Sequence, residues 1–345
     1  MAKRDLFDEP KEAPAPVALH ELTNGQEADT FALLADKTRL TTKDGKPYWK
    51  VTFRDAKREC SFPVWSDAPL FQAATDEWRV GEFFKIRALY HETAYGPQLD
   101  IRKIRPVEDA DRDDGFDPAM CQRRSRFNAD EMFGDLVELA RGAIGDNKPL
   151  LALVLGLLDE HQEDLLRWPA AVRNHHAFAA GWLEHVRNVA THAVTLARSY
   201  RELYPDATPP VDVGMVAAGA ILHDIGKLRE LRTTAVGAEY TASGSMIGHI
   251  LQGRDMVREA AAEFAPDLDG ESLLRLEHII VSHQRLPEWG SPKPPMTPEA
   301  LIVHHADDCD AKLQMMLTIL GEADGDGAMT PRRNVLGHEL YRGGE

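Results

Sequence analysis

The sequence predicts a multidomain chain of α and β parts, a small N-terminal β-barrel followed by an all-α domain. Two observations carry this. Residues 18–107 hold short runs of alternating apolar and polar character, separated by turn signals, whereas residues 130–321 hold longer runs at helical spacing, punctuated by proline. With 345 residues, 43% of them hydrophobic, the chain has material for two or three domains with their own cores.

In chain order, residues 1–17 are charged and proline-rich (EPKEAPAPV) and are expected to be a disordered tail. Five strands are expected at Thr30–Leu40, Tyr48–Arg54, Glu59–Trp65, Phe83–Glu92 and Gln98–Ile104. Lys43-Asp44-Gly45-Lys46, Arg54-Asp55-Ala56-Lys57 and Tyr95-Gly96-Pro97 supply turns between them. Five short strands with a helical stretch at Pro69–Trp78 match an OB-type barrel over 18–107. Period-two reading puts Trp49, Val51 and Phe53 inside, and Tyr48, Lys50, Thr52 and Arg54 outside. Likewise Phe84, Ile86 and Ala88 oppose Phe83, Lys85 and Arg87. Aromatic and basic groups on one outward face suit stacked bases and tracked phosphates, so Tyr48, Lys50, Arg54, Phe83, Lys85 and Arg87 are candidates for binding single-stranded nucleic acid. The competing reading is that Tyr48 and Phe83 only cover the ends of the barrel.

Residues 108–129 are charged and lack periodicity, which reads as a linker. Helices are expected at 130–145, 147–158, 160–166, 170–178, 180–203, 211–224, 244–264, 270–284 and 297–321. The run Leu150–Leu158 is far too short to span a bilayer and reads as a buried helix. Residues 322–345 are rich in glycine and charge and are expected to form a loosely held tail.

The start MAKRDLFDEP has no apolar h-region, and Cys60, Cys121 and Cys309 form no paired framework, so a cytoplasmic setting without membrane attachment is expected. A net charge of −16 argues against a general nucleic-acid coat without excluding a local basic groove.

Chemistry concentrates in AAGAILHDIGK, residues 217–227, where an apolar helix runs into His223-Asp224 and Gly226 is expected to turn the chain. Adjacent residues on a helix point about 100° apart, so this pair can straddle one cation or serve two. His185, His249, His283 and Asp307 lie in other apolar helical stretches. Each histidine alone could be a hydrogen-bonded core residue, but burying the whole set without a ligand would be costly. Imidazole nitrogens with carboxylate oxygens suit Mn, Fe, Co, Ni or Zn better than Mg or Ca. His192, seven residues after His185, is expected in the core or behind the site. His304 or His305 is expected to orient a ligand, and Asp310 to form a hydrogen bond or salt bridge.

The order H…HD…H…H…D resembles the HD superfamily of metal phosphohydrolases. More narrowly, AAVRNHHAFAAGWLEHV (170–186), LHDIGKLREL (222–231), YTASGSMIGHI (240–250), LEHIIVSHQRLPEWGSPKPPMTPEA (276–300) and HHADDCDAK (304–312) resemble the YhaM-type 3′-5′ exoribonucleases, in which an OB-fold domain precedes an HD domain. The resemblance implies an HD domain over 130–321, with His185, His223, Asp224 and Asp307 as metal ligands and His249 and His283 admitting a second ion. Two divalent cations, Mn2+ first among them, are implied, with His223, Asp224 and Lys227 catalytic. Lys227 would contact the scissile phosphate, and His175 and His176 would line the substrate pocket. Lys227 could otherwise be an exposed helix-terminal lysine.

The pattern departs from that family at three places: SHHG reads Ser282-His283-Gln284-Arg285, DNLD reads Asp307-Asp308-Cys309-Asp310, and a two-glycine segment reads Ala180-Gly181. The expected activity is hydrolysis of single-stranded RNA, or single-stranded DNA, to nucleoside monophosphates from the 3′ end. Competing functions are hydrolysis of a nucleotide or cyclic dinucleotide with the barrel as a regulatory module, and non-catalytic RNA binding. Homo-oligomerisation is compatible with either.

Overall fold

The computed structural model describes residues 15–93, 96–172, 175–322 and 327–343. The expected tail at 1–14, Tyr95 of the third turn, and Arg173-Asn174 lie outside the described residues, as do 323–326 and 344–345. The chain divides into two compact units, up to Arg123 and from Arg124 onward.

The first unit has one antiparallel sheet in the order β3-β2-β1-β4-β5. Its strands are β1 (Glu27–Thr41), β2 (Pro47–Arg54), β3 (Glu59–Trp65), β4 (Phe83–Thr93) and β5 (Gly96–Pro106), with helix α1 (Phe71–Asp76) between β3 and β4. β3 also packs against β5, which closes the sheet into the five-stranded OB barrel. The register shifts at Leu34/Asp36 of β1, allowing one long strand to serve both halves of the barrel. Phe53, Phe84, Ile86, Val51 and Trp78 fill the interior, with the rings of Trp78 and Phe84 edge-on to Phe53. The expected inward faces of β2 and β4 are therefore the observed ones.

Two terminal segments depart from expectation. Residues 108–123 are not a linker. They form short 3-10 turns at Asp109–Arg112 and Pro118–Cys121 and belong to the barrel unit. The reason is chemical: Asp111 is buried and bonded by both Arg105 amino groups, and Phe116 packs on Phe31. The C-terminal stretch is also ordered where described, with Leu340 and Thr330 buried and a bridge between Met329 and Tyr341.

The second unit holds α2 (Ala129–Ile144), α3 (Lys148–Glu160), α4 (Gln162–Leu165), α5 (Gly181–Leu203), α6 (Val213–Leu222), α7 (Lys227–Glu230), a hairpin of β6 (Leu231–Thr234) and β7 (Gly237–Tyr240), α8 (Ala242–Ile247), α9 (His249–Phe264), α10 (Gly270–Ser282) and α11 (Pro298–Glu322). The hairpin makes the unit not strictly all-α. Asn128 caps α2 by accepting from Asp130 and Glu131, and Met132, Leu136, Ala140 and Ile144 form its buried stripe at a spacing of four. Every residue of α6 but Gly214 is buried, so this short helix is the axis of the bundle, packed by α2, α5, α10 and α11. No helix is long and apolar enough to cross a membrane among the described residues.

Two helices expected from spacing differ. Residues 170–172 and 175–178 are not helical, because His176 takes a left-handed backbone (φ 49°) that turns its ring inward. The helix expected at 244–264 is two, broken at Gly248 (φ 80°, ψ 159°), which sets His249 at the first position of α9.

Candidate metal centre and substrate pocket

The site is built where α5, the α6–α7 turn, α9, α10 and α11 converge. His185 lies on the buried face of α5, and His223-Asp224 sit in the turn between α6 and α7. Gly226 lies in this turn, as expected, and its backbone is right-handed helical. It is there for contact: a Cβ would lie 2.0 Å from the carbonyl oxygen of His249. Close approach of α7 to α9 therefore demands glycine.

Four imidazoles present the same edge. Each Nδ1 is held by an acceptor: Asp310 for His185 (2.8 Å), the Ala220 carbonyl for His223 (2.8 Å), Glu230 for His249 (3.0 Å) and the Ile280 carbonyl for His283 (2.7 Å). In the neutral ring this selects the tautomer that leaves Nε2 with its lone pair turned to the centre. The Nε2 atoms converge on Asp224, whose two oxygens divide the work. Oδ2 lies 3.5 Å from His185 and 3.4 Å from His223, while Oδ1 lies 3.4 Å from His249 and 3.7 Å from His283. Asp307 Oδ1 completes the first group at 3.2 Å from His185 and 3.8 Å from His223. Lys227 Nζ is 2.6 Å from Asp224 Oδ2 and is buried, not the exposed helix-end lysine of the alternative reading.

These donors fit cations. Atoms of His185, His223 and Asp224 all lie within 4.8 Å of one another, as do those of Asp224, His249 and His283. Asp224 Oδ1 and His283 Nε2 are buried without a hydrogen-bond partner, which is costly unless a ligand completes them. Charge tells the same story. Burial opposes charge on His185, but the Asp307 and Asp310 carboxylates outweigh it and raise the ring to about 9. His283, where burial and the neighbouring His223 outweigh the Asp307 and Asp224 carboxylates, falls to about 3. Asp307, despite its burial, is held well below the usual carboxylate range by His185, His223 and His283.

Behind the centre, Asp310 receives His176 Nε2 at 2.9 Å, His185 Nδ1 and, at 3.1 Å, the Asn188 amide. His176 is thus a buried strut and not a pocket residue: its Nε2 is bonded to Asp310 and its Nδ1 lies 3.7 Å from Glu184 Oε1. His175 does line the cavity, and burial with neighbouring His185 and Lys227 lowers it to about 3. His192 is exposed: seven residues return it to the same face, yet about 10 Å further along the axis, past the site. Of the adjacent pair, His304 is buried and donates its Nδ1–H to the His283 carbonyl (2.7 Å), while His305 faces outward. Gln284, where the family pattern has histidine, reaches His249 Nε2 at 3.3 Å.

Several residues escaped the sequence reading. Glu230 bonds both the Nδ1 and the backbone N–H of His249, and Glu184 accepts from Ser125. Trp182 and Trp168 donate their indole N–H to the carbonyls of Asp224 and Lys227, both at 3.0 Å. Asp310, three residues past Asp307 and expected in a hydrogen bond or salt bridge, does hold that role against His185. A cavity of about 300 Å3 opens over the centre, lined by Asp224, Lys227, Asp307, His175, Gln284 and Trp289 among others.

On the barrel, the outward candidates differ in their freedom. Lys50 is exposed, and Tyr48 packs its ring on Trp65 at 4.8 Å. Arg54 lies 3.9 Å from Glu59. Lys85 is paired with Asp111 and Asp114, Arg87 forks onto Asp29, and Phe83 packs edge-on to Phe116.

An HD domain family model matches residues 182–312. The chain is 31% identical to the 3′-5′ exoribonuclease YhaM of Bacillus subtilis over 303 residues, covering 87% of this chain and 89% of that protein. It is 32% identical to the YhaM of Listeria monocytogenes (strain EGD-e) over 298 residues, 86% of this chain and 88% of the relative. Among solved structures, a domain of replication protein A from Methanococcus maripaludis aligns with 27% of this chain and 96% of its own, at 12% identity and a TM-score of 0.22.

Proposed function

The chain belongs to the family of the 3′-5′ exoribonuclease YhaM, and we propose that it is itself a divalent-metal-dependent exonuclease that shortens single-stranded RNA from the 3′ end. The observation that carries this is the bridging position of Asp224, with one oxygen toward each histidine pair. In this reading His185, His223, Asp224 and Asp307 hold one cation, and Asp224, His249 and His283 a second. Mn2+ is the ion we assign, the mixed nitrogen and oxygen set also suiting Fe, Co, Ni or Zn. When bound, such cations activate water near neutral pH and offset the charge that develops on the phosphodiester oxygens.

The protein's own groups do the rest. Asp310, Glu230 and the two backbone carbonyls hold the imidazoles in one tautomer and orientation, so no reorganisation is needed on binding. Lys227, buried beside Asp224, supplies a fixed cation where the scissile phosphate would enter the cavity. Burial of the site excludes bulk water and strengthens these interactions. The barrel, through Tyr48, Lys50 and Arg54, holds the strand by stacking and phosphate contact. Lys85 and Arg87 contribute less, since close ion pairs with Asp111, Asp114 and Asp29 already offset their charge.

The test is digestion of 5′-labelled single-stranded RNA with added Mn2+. A ladder shortening from the 3′ end with release of nucleoside monophosphates is expected. Asp224→Asn should abolish it while RNA binding persists. Cleavage by this variant at the wild-type rate would refute the site, and internal cuts would refute the exonuclease reading.

A further inference from the structure

The cavity above the metal centre has one wall that neither the metal ligands nor Lys227 explains. Trp289 is 50% exposed at the end of a 3-10 turn, Pro287–Trp289, and lines the same cavity as Asp224 and Asp307. An exposed indole on a mobile loop would mean little, but this loop is fixed. Trp289 and Ser291 donate their backbone N–H groups to the Leu286 carbonyl at 3.0 and 3.2 Å. Ser291 is fully buried, and its hydroxyl accepts from the Gln284 N–H at 3.0 Å. The loop is thereby tied to the residue that follows His283.

The opposite support comes from α11. Lys312 Nζ lies 5.6 Å from the indole centroid and 2.7 Å from Asp308 Oδ2. Asp307, Ala311 and Met315 follow at a spacing of four on the same helix, and all line the cavity. So a flat aromatic face, a cation and an apolar side chain line the same cavity as the Asp224 and Asp307 carboxylates. Trp168 and Trp182, by contrast, are consumed by hydrogen bonds to the backbone. At about 300 Å3 the cavity is at the small end for ligand clefts, sized for one nucleotide and not for a strand.

We propose that Trp289, with Lys312 against its ring and Met315 on the same cavity wall, is the platform on which the base of the 3′-terminal nucleotide stacks, placing its 5′-phosphate at the metal centre. This rests on the exoribonuclease reading. Every base has a π-face, so a stacking platform accepts any of the four and lets degradation proceed irrespective of sequence, purines binding somewhat better than pyrimidines.

The experiment compares two single-stranded RNA decamers, one ending in adenosine and one ending in an abasic ribonucleotide. Each is digested by the wild type, Trp289→Ala and Trp289→Phe. Wild-type kcat/KM should fall roughly 10-fold on the abasic end, within the range for one stacked base. Trp289→Ala should lose about the same factor on the adenosine end, mostly in KM, and should no longer distinguish the two ends. Trp289→Phe should keep most of the discrimination. The proposal is overturned if the wild type is indifferent to the missing base, a result that needs no variant. It is equally overturned if Trp289→Ala retains the wild-type ratio between the two ends. Failure of the wild type to shorten either RNA would instead overturn the exoribonuclease reading and this proposal with it.

Discussion

At the scale of single residues, the candidate ligands were legible because histidine and aspartate are rare on otherwise apolar helices. His185, His223, Asp224, His249, His283 and Asp307 were all nominated from sequence, and the structure brings them together. The groups that hold them were not legible. Glu230 follows Lys227 in a charged stretch and looks like any solvated glutamate, but it is buried against His249. Two of the four Nδ1 acceptors are backbone carbonyls, which no sequence pattern displays. Glu230→Gln and Asp310→Asn replace a charged acceptor by a weaker one, and each should weaken Mn2+ binding about 10- to 100-fold with the fold intact. Isothermal titration with Mn2+ measures this directly. Unchanged affinity in both variants would mean that these carboxylates do not orient the ligands.

Elements were legible where local pattern and tertiary demand agree, as in α2, α3 and the five strands. They were misread where a tertiary contact rules the backbone. His176 leaves helical geometry to reach Asp310, and Gly248 breaks a helix so that His249 can begin the next. Two departures from the family pattern fall on such backbone. Ala180 (φ 60°) and Arg285 (φ 66°) occupy left-handed conformations where that pattern has glycine. Left-handed backbone costs a non-glycine residue about 1–2 kcal/mol, partly offset by the larger unfolded-state entropy of glycine. Ala180→Gly and Arg285→Gly should therefore each raise stability by up to about 1 kcal/mol, visible as a higher Tm. A lower Tm in both would contradict the strain argument.

The segment after β5 makes a second prediction at this scale. The Arg105 fork, aided by the Glu108 N–H and Lys85, outweighs burial and holds Asp111 well below the usual carboxylate range. A depressed folded-state pKa stabilises above the unfolded value of about 3.9 and is lost as pH falls below it. Asp111→Asn should thus cost roughly 2 kcal/mol at pH 7, and the difference from wild type should shrink below about pH 4. A loss equally large at acid pH would show that the residue acts by packing and not by charge.

For the whole molecule, the order of a β-barrel unit before a helical unit was legible from the switch in hydrophobic period, two over 18–107 and near four beyond 130. The boundary was not, because residues 108–123 owe their structure to Asp111 and Phe116, single side chains without periodicity. Under the proposed function the barrel would retain the strand and the helical unit would cut it. Tyr48→Ala with Lys50→Ala should raise KM several-fold for long RNA and leave turnover of a dinucleotide nearly unchanged. Equal effects at both lengths would take the barrel out of the substrate path.

The central claim is that Asp224 bridges two cation sites made by four inward Nε2 atoms. Elemental analysis of the protein after Mn2+ loading and desalting tests it most directly. Two ions per chain are expected in the wild type, and fewer than one in Asp224→Ala, because both sites share that carboxylate. A wild type that retains no transition metal, or an Asp224→Ala variant that keeps the full complement, would contradict it.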